Sequence, residues 1–449
     1  MIRVASSSAI SLGINMRNVH KQTDPVSKET RCCLWCSIFM LEQSLTTITG
    51  RPTSLDKAHA VDAPLPFAES RFTDFAVTSL LTNDLERANF VNWTLLENAS
   101  QTCKRAEKLK SVNASPSLYF FYRVDLSLIA NSITSRLYGA HAPQDGWKVV
   151  KEAMMLYSQK LDSWLSTING AMKFADGDGK VIHSTLSQDQ VSLALHYYST
   201  RILLNRPCLS RPGFRERSGI RIPRNRFGND TALNCVRSAL SLLNVLPDEA
   251  SKGWFYGTAP WWTMLHFLMQ AAAVLLIQLA VGIVPVRVEQ RIEEVSDEAV
   301  SSDAVLLGCK KALRWLHHMA GSDQACQRGF RLCHNLFCRI ASSKDLNCEG
   351  VPPLSLQSPD LSDPIAFDSP SHFQPLSKSS TELLPGSVHG EGFDGGSPTT
   401  TSSTTTTSDI SMGNNPNEPY PPNLLEDPET TWFISIADLD PDFTMYDTQ

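Results

Sequence analysis

The sequence predicts an all-α protein, and three observations support this class. Apolar side chains recur at three- and four-residue spacing in segment after segment of residues 1–342, which is the period of a helix with one buried face. Alternating apolar and polar residues, and Asn-Gly turns between them, are scarce. Apolar residues make up 42% of the 449-residue chain, which is enough for a sizeable core. We therefore expect one large helical domain over residues 1–342.

The first clear helix is predicted over Lys28–Thr49, where Trp35 and Phe39 lie on one face. Gly50 supplies a C-terminal stop for this helix, and Pro52 cannot continue it. The same spacing predicts eight further helices, over Phe72–Leu96, Pro116–Leu137, Val149–Ile168, Val191–Leu204, Thr231–Leu246, Trp261–Leu279, Asp303–Met319 and Gln324–Ile340.

Two of these segments carry additional signals. Ser187 and Gln190 have the spacing of a capping box ahead of Val191–Leu204. Residues 259–286 are almost continuously apolar, close to the roughly 20 apolar residues of a membrane span. Because His266 and two glutamines interrupt the run and no pattern of Lys and Arg flanks it, we predict a buried core helix and no membrane contact.

The composition changes near residue 342. Fourteen of the 26 prolines lie in the last 99 residues, and residues 397–408 read SPTTTSSTTTTS. Residues 351–449 carry a net charge of −14, whereas the preceding 350 residues carry +8. Such a segment cannot bury enough apolar surface to offset its conformational entropy, so we predict that residues 343–449 are disordered.

The last part of this predicted tail, residues 426–449, contains seven acids and no base. Large apolar residues alternate with these acids, which keep them solvated and available to a partner, as in acidic-hydrophobic activation segments. An inert acidic tail, or a strand docked on the body, fits the same composition. The residues expected to carry activation are Trp432, Phe433, Leu439 and Phe443.

Signatures of catalysis and of metal binding are weak. The sequence contains no Walker loop, no G-x-S-x-G elbow and no H-E-x-x-H, so we predict no enzyme and no catalytic residue. Cys33 and Cys36 form one C-x-x-C, but no second pair with similar spacing completes a four-ligand zinc site. The eleven cysteines are too dilute for a disulfide scaffold, so we predict buried, reduced thiols and no metal or other cofactor in this chain.

Eight arginines between residues 201 and 226 form the strongest cluster of charge. Such a cluster can neutralise the phosphates of a nucleic acid. Few aromatic residues interleave with these arginines, so stacking on bases is poorly supported and we favour a solvated loop between two helices.

The stretch Thr30–Asp56, followed by Asp62–Pro66, resembles the signature of the fungal-specific transcription factor domain. This domain is the regulatory middle region of fungal zinc-cluster transcription factors. In that family, a helix rich in Trp, Phe and Leu runs into Gly-Arg-Pro, a short acidic segment and Pro-Leu-Pro. The matching positions are Trp35, Gly50, Arg51, Pro52, Asp56 and Asp62.

Four other segments are similar to helices of the same family, so the resemblance covers residues 1–342. The segments are Ser8–Asn18, Leu193–Leu209, Pro260–Ala280 and Lys310–Ala320. The resemblance implies an all-α regulatory domain, a nuclear location, control of transcription by RNA polymerase II, and possible pairing as a homodimer or heterodimer. The acidic tail would then contact the transcription machinery.

One feature departs from the family. Its members bind DNA through six closely spaced cysteines ahead of this domain, and the sequence contains no such array. We therefore expect a chain that begins inside the domain, with DNA and zinc bound only through a missing cluster. Two alternatives stay open, namely a dominant-negative partner of full-length factors and an all-α protein that holds a small ligand in an apolar pocket.

Overall fold

The computed structural model describes most of the first 354 residues. The described ranges are 2–16, 23–50, 53, 55, 62–139, 146–177, 179–182, 185–210, 226–282, 286–287, 300–321 and 323–354. These residues belong to one compact unit, and the predicted all-α class is confirmed. The predicted tail lies outside the described residues from residue 355 onward.

Fourteen α-helices make up the described part of the chain. Their bounds are α1 Ile2–Ser11, α2 Pro25–Thr49, α3 Phe75–Thr82, α4 Asp84–Phe90, α5 Ala99–Lys110, α6 Pro116–Tyr138, α7 Trp147–Thr167, α8 Gln188–Asn205, α9 Pro207–Ser210, α10 Arg226–Val245, α11 Lys252–Thr258, α12 Trp261–Val281, α13 Ser302–Ala320 and α14 Gln324–Lys344. Two 3-10 turns lie at Glu69–Arg71 and Gly170–Met172. Two short strands, β1 Val286–Arg287 and β2 Val300–Ser301, pair in parallel.

The predicted helix over Phe72–Leu96 is wrong in one respect, because the structure divides it into α3 and α4. Asn83 lies between them with an extended backbone. Its side-chain oxygen accepts hydrogen bonds from the backbone N–H groups of Leu85 and Glu86, so it caps the start of α4. An asparagine that caps in this way favours a new helix start over one continuous helix. The second helix, α4, ends at Phe90, before the predicted end at Leu96.

The helices pack around two long helices, α6 and α12. α6 contacts α2, α7 and α8, whereas α12 contacts α10, α13 and α14. α8 lies between these two groups and contacts both α6 and α12. Because α2 also contacts α12, four helices that are far apart in sequence meet at one junction.

A cluster of fully buried aromatic rings joins α6, α7 and α8. Trp164 stacks on Tyr197 with ring centroids 5.7 Å apart, and Tyr122 meets Trp164 edge-on. Two of its three polar groups are hydrogen-bonded, since Trp164 Nε1 donates to the carbonyl of Tyr122 and the Tyr122 hydroxyl donates to the carbonyl of Thr167. Buried aromatic pairs of this kind contribute stability beyond their apolar area.

The long apolar helix α12 is a core helix. It is long and apolar enough to cross a membrane, but 78% of its most apolar 18-residue window is buried within the fold. Gly282 ends the helix in the left-handed conformation, and its N–H bonds the carbonyl of Gln278. The structure buries this apolar run, as the sequence predicts. The absence of membrane contact stays a prediction.

Residues 343–354, which the sequence prediction assigns to the tail, continue α14 and then pack against the body. Asp345 caps α14 with φ of 52°. Leu346 and Val351 lie against the core, and Lys310 Nζ donates to the carbonyl of Glu349 at 2.8 Å.

A buried network of charges ties α5 to its neighbours. Arg105 forms ion pairs with Glu97 at 2.9 Å and with Asp125 at 3.2 Å, and all three side chains are almost fully buried. Both carboxylate oxygens of Asp125 also accept hydrogen bonds from Thr94. Lys160 Nζ on α7 donates to the carbonyls of Thr94 and Glu97, so the network links α5, α6 and α7.

Removing Arg105 should therefore destabilise the whole domain. In Arg105→Met, the carboxylates of Glu97 and Asp125 lose their buried partner, and we expect the free energy of unfolding to fall by about 3–5 kcal/mol. Denaturant unfolding of the full chain measures this change. The control is Lys110→Met on the same helix, where the exposed side chain should contribute less than about 0.5 kcal/mol. Equal losses in both variants would contradict a structural role for the network.

Candidate functional site

The signature helix α2 places one signature residue in the core and another at its end. The indole of Trp35 is only 4% exposed. Gly50 adopts the left-handed conformation with φ of 61°, and its N–H bonds the carbonyl of Thr46. A glycine suits this position because a Cβ would be strained there. Arg51, Pro52 and Asp56 lie outside the described residues.

The segment Asp62–Leu65 is held by side chains that bond its backbone. Cys32 Sγ donates to the carbonyl of Asp62 at 3.1 Å. Arg87 donates to the carbonyl of Ala63, and Glu29 accepts from the N–H of Leu65 at 2.7 Å. Because Glu29 and Cys32 are three residues apart on α2, both face the segment. We call this arrangement the α2–α4 anchor.

The ion pair at the centre of the anchor is fully buried. Arg87 Nη1 lies 2.6 Å from a carboxylate oxygen of Glu29, and each side chain is 2% exposed. Burial lowers the pKa of Arg87, but the charge and hydrogen bond of Glu29, with smaller contributions from Cys32 and Asp62, together outweigh burial and leave the pKa raised. The guanidinium is therefore charged at every physiological pH, and its loss would leave a buried carboxylate without its counter-ion.

The sequence analysis does not identify the pair of Glu29 and Arg87, although the position of Glu29 in α2 carries one signal. Glu29 occupies the same helical row as Cys32, Cys36 and Phe39, which the structure buries. A carboxylate in an apolar row indicates a buried partner, because an unpaired charge there would be costly. Its partner Arg87 follows 58 positions later in a short helix, and spacing alone gives no means of matching the two.

Cys33 and Cys36 of α2 lie in an environment that favours the thiol. Burial raises the pKa of Cys33 to about 12. A hydrogen bond with Cys32 and burial raise the pKa of Cys36 well above its ordinary value. Thiols of this kind react slowly as nucleophiles, because the thiolate is the reactive form. Among the residues that the structure describes, no three His, Cys, Asp or Glu side chains come together as metal ligands.

The described members of the arginine cluster have partners within the fold. Arg201 pairs with Asp162 at 3.0 Å and lies over the ring of Tyr197. The guanidinium of Arg206 lies 4.6 Å from the ring centroid of Tyr138. These two side chains are therefore engaged in packing. Arg226 is exposed and lies 3.8 Å from Asp230, and residues 211–225 lie outside the described part.

A small cavity of about 40 Å³ lies at the junction of α2, α6, α8 and α12. It has room for about three water molecules. Most of its accessible wall is apolar, although nine of its thirteen lining residues are polar. The polar lining residues are Gln43, Ser44, Thr47, Arg123, His196, Ser199, Thr200, Thr263 and His266, and the apolar ones are Ile48, Ala130, Leu203 and Phe267.

The four residues expected to carry activation, Trp432, Phe433, Leu439 and Phe443, lie outside the described residues. Their assignment rests on composition alone and stays a prediction.

The α2–α4 anchor predicts a specific pattern in a double-mutant cycle. Glu29→Gln and Arg87→Met should each lower the free energy of unfolding by about 3–5 kcal/mol, because each leaves the other charge unpaired in the core. The double variant should lose less than the sum of the two, since neither charge then remains. Chemical denaturation of the four proteins measures the coupling.

The matched control is the exposed pair Arg71 and Asp74, whose atoms are 3.0 Å apart, against 2.6 Å in the buried pair. Its cycle should give a coupling below about 1 kcal/mol, as is usual for surface ion pairs. Additive losses in the Glu29 and Arg87 cycle would show that the two side chains do not act as a pair.

Comparison with known proteins places these features in a family. Residues 1–173 match the model of the fungal specific transcription factor domain. The chain is also 34% identical over 372 residues to the protein described as "Transcription regulator galc" of Aspergillus niger. That alignment covers 78% of this chain and 45% of the relative, so the chain spans less than half of the relative's length. No solved structure matches the chain. Through residues 1–173 the chain belongs to the family of proteins that carry a fungal specific transcription factor domain.

Proposed function

We propose that this protein regulates transcription by RNA polymerase II in the nucleus, as a regulator of the fungal zinc-cluster type. The observation that carries the proposal is the 34% identity to a transcription regulator over most of the chain. The match of residues 1–173 to the family model supports it. The helical body acts as a regulatory scaffold, which pairs as a homodimer or heterodimer, and no catalytic step is assigned to it.

DNA contact is assigned to a zinc-cluster module that these 449 residues do not contain. The sequence has eleven cysteines, but it has no array of six at short spacing. The buried thiols of α2 are engaged within the fold, since Cys32 donates to a backbone carbonyl of the anchored segment. Zinc is therefore assigned to that separate module, and pairing with a protein that carries one would bring this chain to DNA.

The acidic segment 426–449 is the part proposed to contact the transcription machinery. Seven acids and no base surround its large apolar side chains. Like charges repel one another along the segment, which favours an extended chain with accessible aromatic rings. A partner groove then gains apolar contacts from residues such as Trp432 and Phe443, while the acids contact a basic rim.

A reporter assay tests the role of this segment. Residues 343–449 fused to a foreign DNA-binding domain should activate a reporter gene in a fungal host. Phe443→Ala should weaken activation several-fold, because it removes a large apolar contact while the acidic charge is unchanged.

The control variant is Phe393→Ala, which changes an aromatic residue of the same tail outside residues 426–449. It should leave activation unchanged. Absence of activation by the fusion, or equal effects of the two alanine variants at equal protein levels, would remove the segment from the proposed function.

A further inference from the structure

Among the residues that the structure describes, Arg123 is the buried arginine without a carboxylate partner. Its side chain lies on α6, is 7% exposed and lines the small cavity. One nitrogen, Nη1, donates to the hydroxyl of Ser127. No carboxylate among the described residues forms an ion pair with it. Arg87 and Arg105 are buried to a similar degree, and each of them pairs with a carboxylate.

The other polar groups of the cavity do not supply a negative charge. Nε2 of His266 is buried and has no hydrogen-bond partner among the described residues. Nδ1 of His196 bonds the carbonyl of Ser192 at 2.8 Å. The remaining polar lining consists of hydroxyl groups and the amide of Gln43. A buried guanidinium therefore faces donors and neutral groups, which is a costly arrangement unless an anion joins them.

The electrostatics agree with this geometry. Burial lowers the pKa of Arg123 to about 10, and the neighbouring hydroxyl of Tyr119 offsets this only in part. Burial lowers the pKa of His266 to about 4, and the positive charge of Arg206 adds to this effect. Burial, and then the charge of Arg123, lower the pKa of His196 well below its ordinary value. Burial is the main cause of all three shifts, and the charge of a neighbouring arginine contributes to the shifts of the two histidines. The charge that an anion would balance is that of Arg123 itself.

We propose that this cavity binds a small aliphatic carboxylate, with both oxygens on the guanidinium of Arg123 and one of them also bonded to His266. The planar fork of a guanidinium matches the two oxygens of a carboxylate, and such hydrogen bonds are among the strongest in proteins. The volume of about 40 Å³ suits an anion of about four non-hydrogen atoms. Ile48, Leu203 and Phe267 offer apolar contacts to a short alkyl group.

Binding there would join four helices that are distant in sequence. The lining residues come from α2, α6, α8 and α12, so a bound anion contacts both the region matched by the family model and the helices that follow it. An anion that binds only the folded protein raises its stability in proportion to the logarithm of the anion concentration. Binding of an anion in this cavity does not depend on a role in transcription.

Thermal unfolding of the full chain with sodium acetate tests the proposal. Sodium chloride at equal ionic strength controls for screening, and acetamide at equal concentration has the shape of acetate without its charge. We expect acetate to raise Tm progressively, and chloride and acetamide to leave it unchanged. Calorimetric titration with acetate then gives Kd for each variant.

Arg123→Met should raise Kd for acetate about tenfold or more, because it removes the charge-assisted hydrogen bonds. His266→Phe should raise it by a smaller factor. Arg136→Met is the matched control, since Arg136 is an exposed arginine on the same helix, and it should leave Kd unchanged. If Arg123→Met does not fold, Arg123→Lys serves instead, because it keeps the charge and loses the planar fork.

Two results would overturn the proposal. The first is an equal effect of acetate and chloride on Tm of the unchanged protein. The second is an undiminished response to acetate in Arg123→Met, or in Arg123→Lys if that variant replaces it. The reporter assay on the tail uses a separate fusion, so failure of either experiment leaves the other result standing.

Discussion

Burial of arginine is the constraint on which much of this fold depends. Arg87 and Arg105 lie in the core, where Arg87 pairs with Glu29 and Arg105 pairs with the nearby Glu97 and with Asp125 of α6. Arg87 pairs with Glu29 and so fixes the segment after α2, whereas Arg105 pairs with Asp125 and fixes α5 against α6. A buried ion pair adds little net stability over an apolar pair, but breaking one is costly. Such pairs therefore specify which segments meet, because an alternative packing would leave a buried charge without its partner.

The same constraint gives a physical account of the family signature. The resemblance rests on a helix that ends in glycine and on a short segment that follows it. In the structure, the helix end needs Gly50 for its left-handed backbone, and the segment is held through its backbone atoms. Ala63 and Leu65 are also buried in the core, so the segment is held both by its apolar side chains and by the bonds that Glu29 and Arg87 make to its backbone.

Residue spacing predicted the helices with regular apolar faces and missed those whose contacts are polar. The capping box of Ser187 and Gln190 could be predicted because its two residues are only three positions apart in the chain. The structure confirms this capping box. α5 escaped prediction because the face that it buries includes Arg105 and Thr102, which apolar periodicity does not detect. The cavity at Arg123 was equally invisible, since its lining comes from four helices and only the packed structure brings them together.

The two ends of α2 meet different parts of the fold, and this gives the cavity a physical consequence. Glu29 and Cys32 near its start hold the segment Asp62–Leu65, whereas Gln43 and Thr47 near its end line the cavity. A ligand protects a region from local opening only if its contacts are lost when that region opens. An anion held beside Thr47 satisfies this condition for the last turn of α2. Occupancy of the cavity would therefore protect the helix end that runs into the signature turn, while the start of α2 depends on its own ion pair.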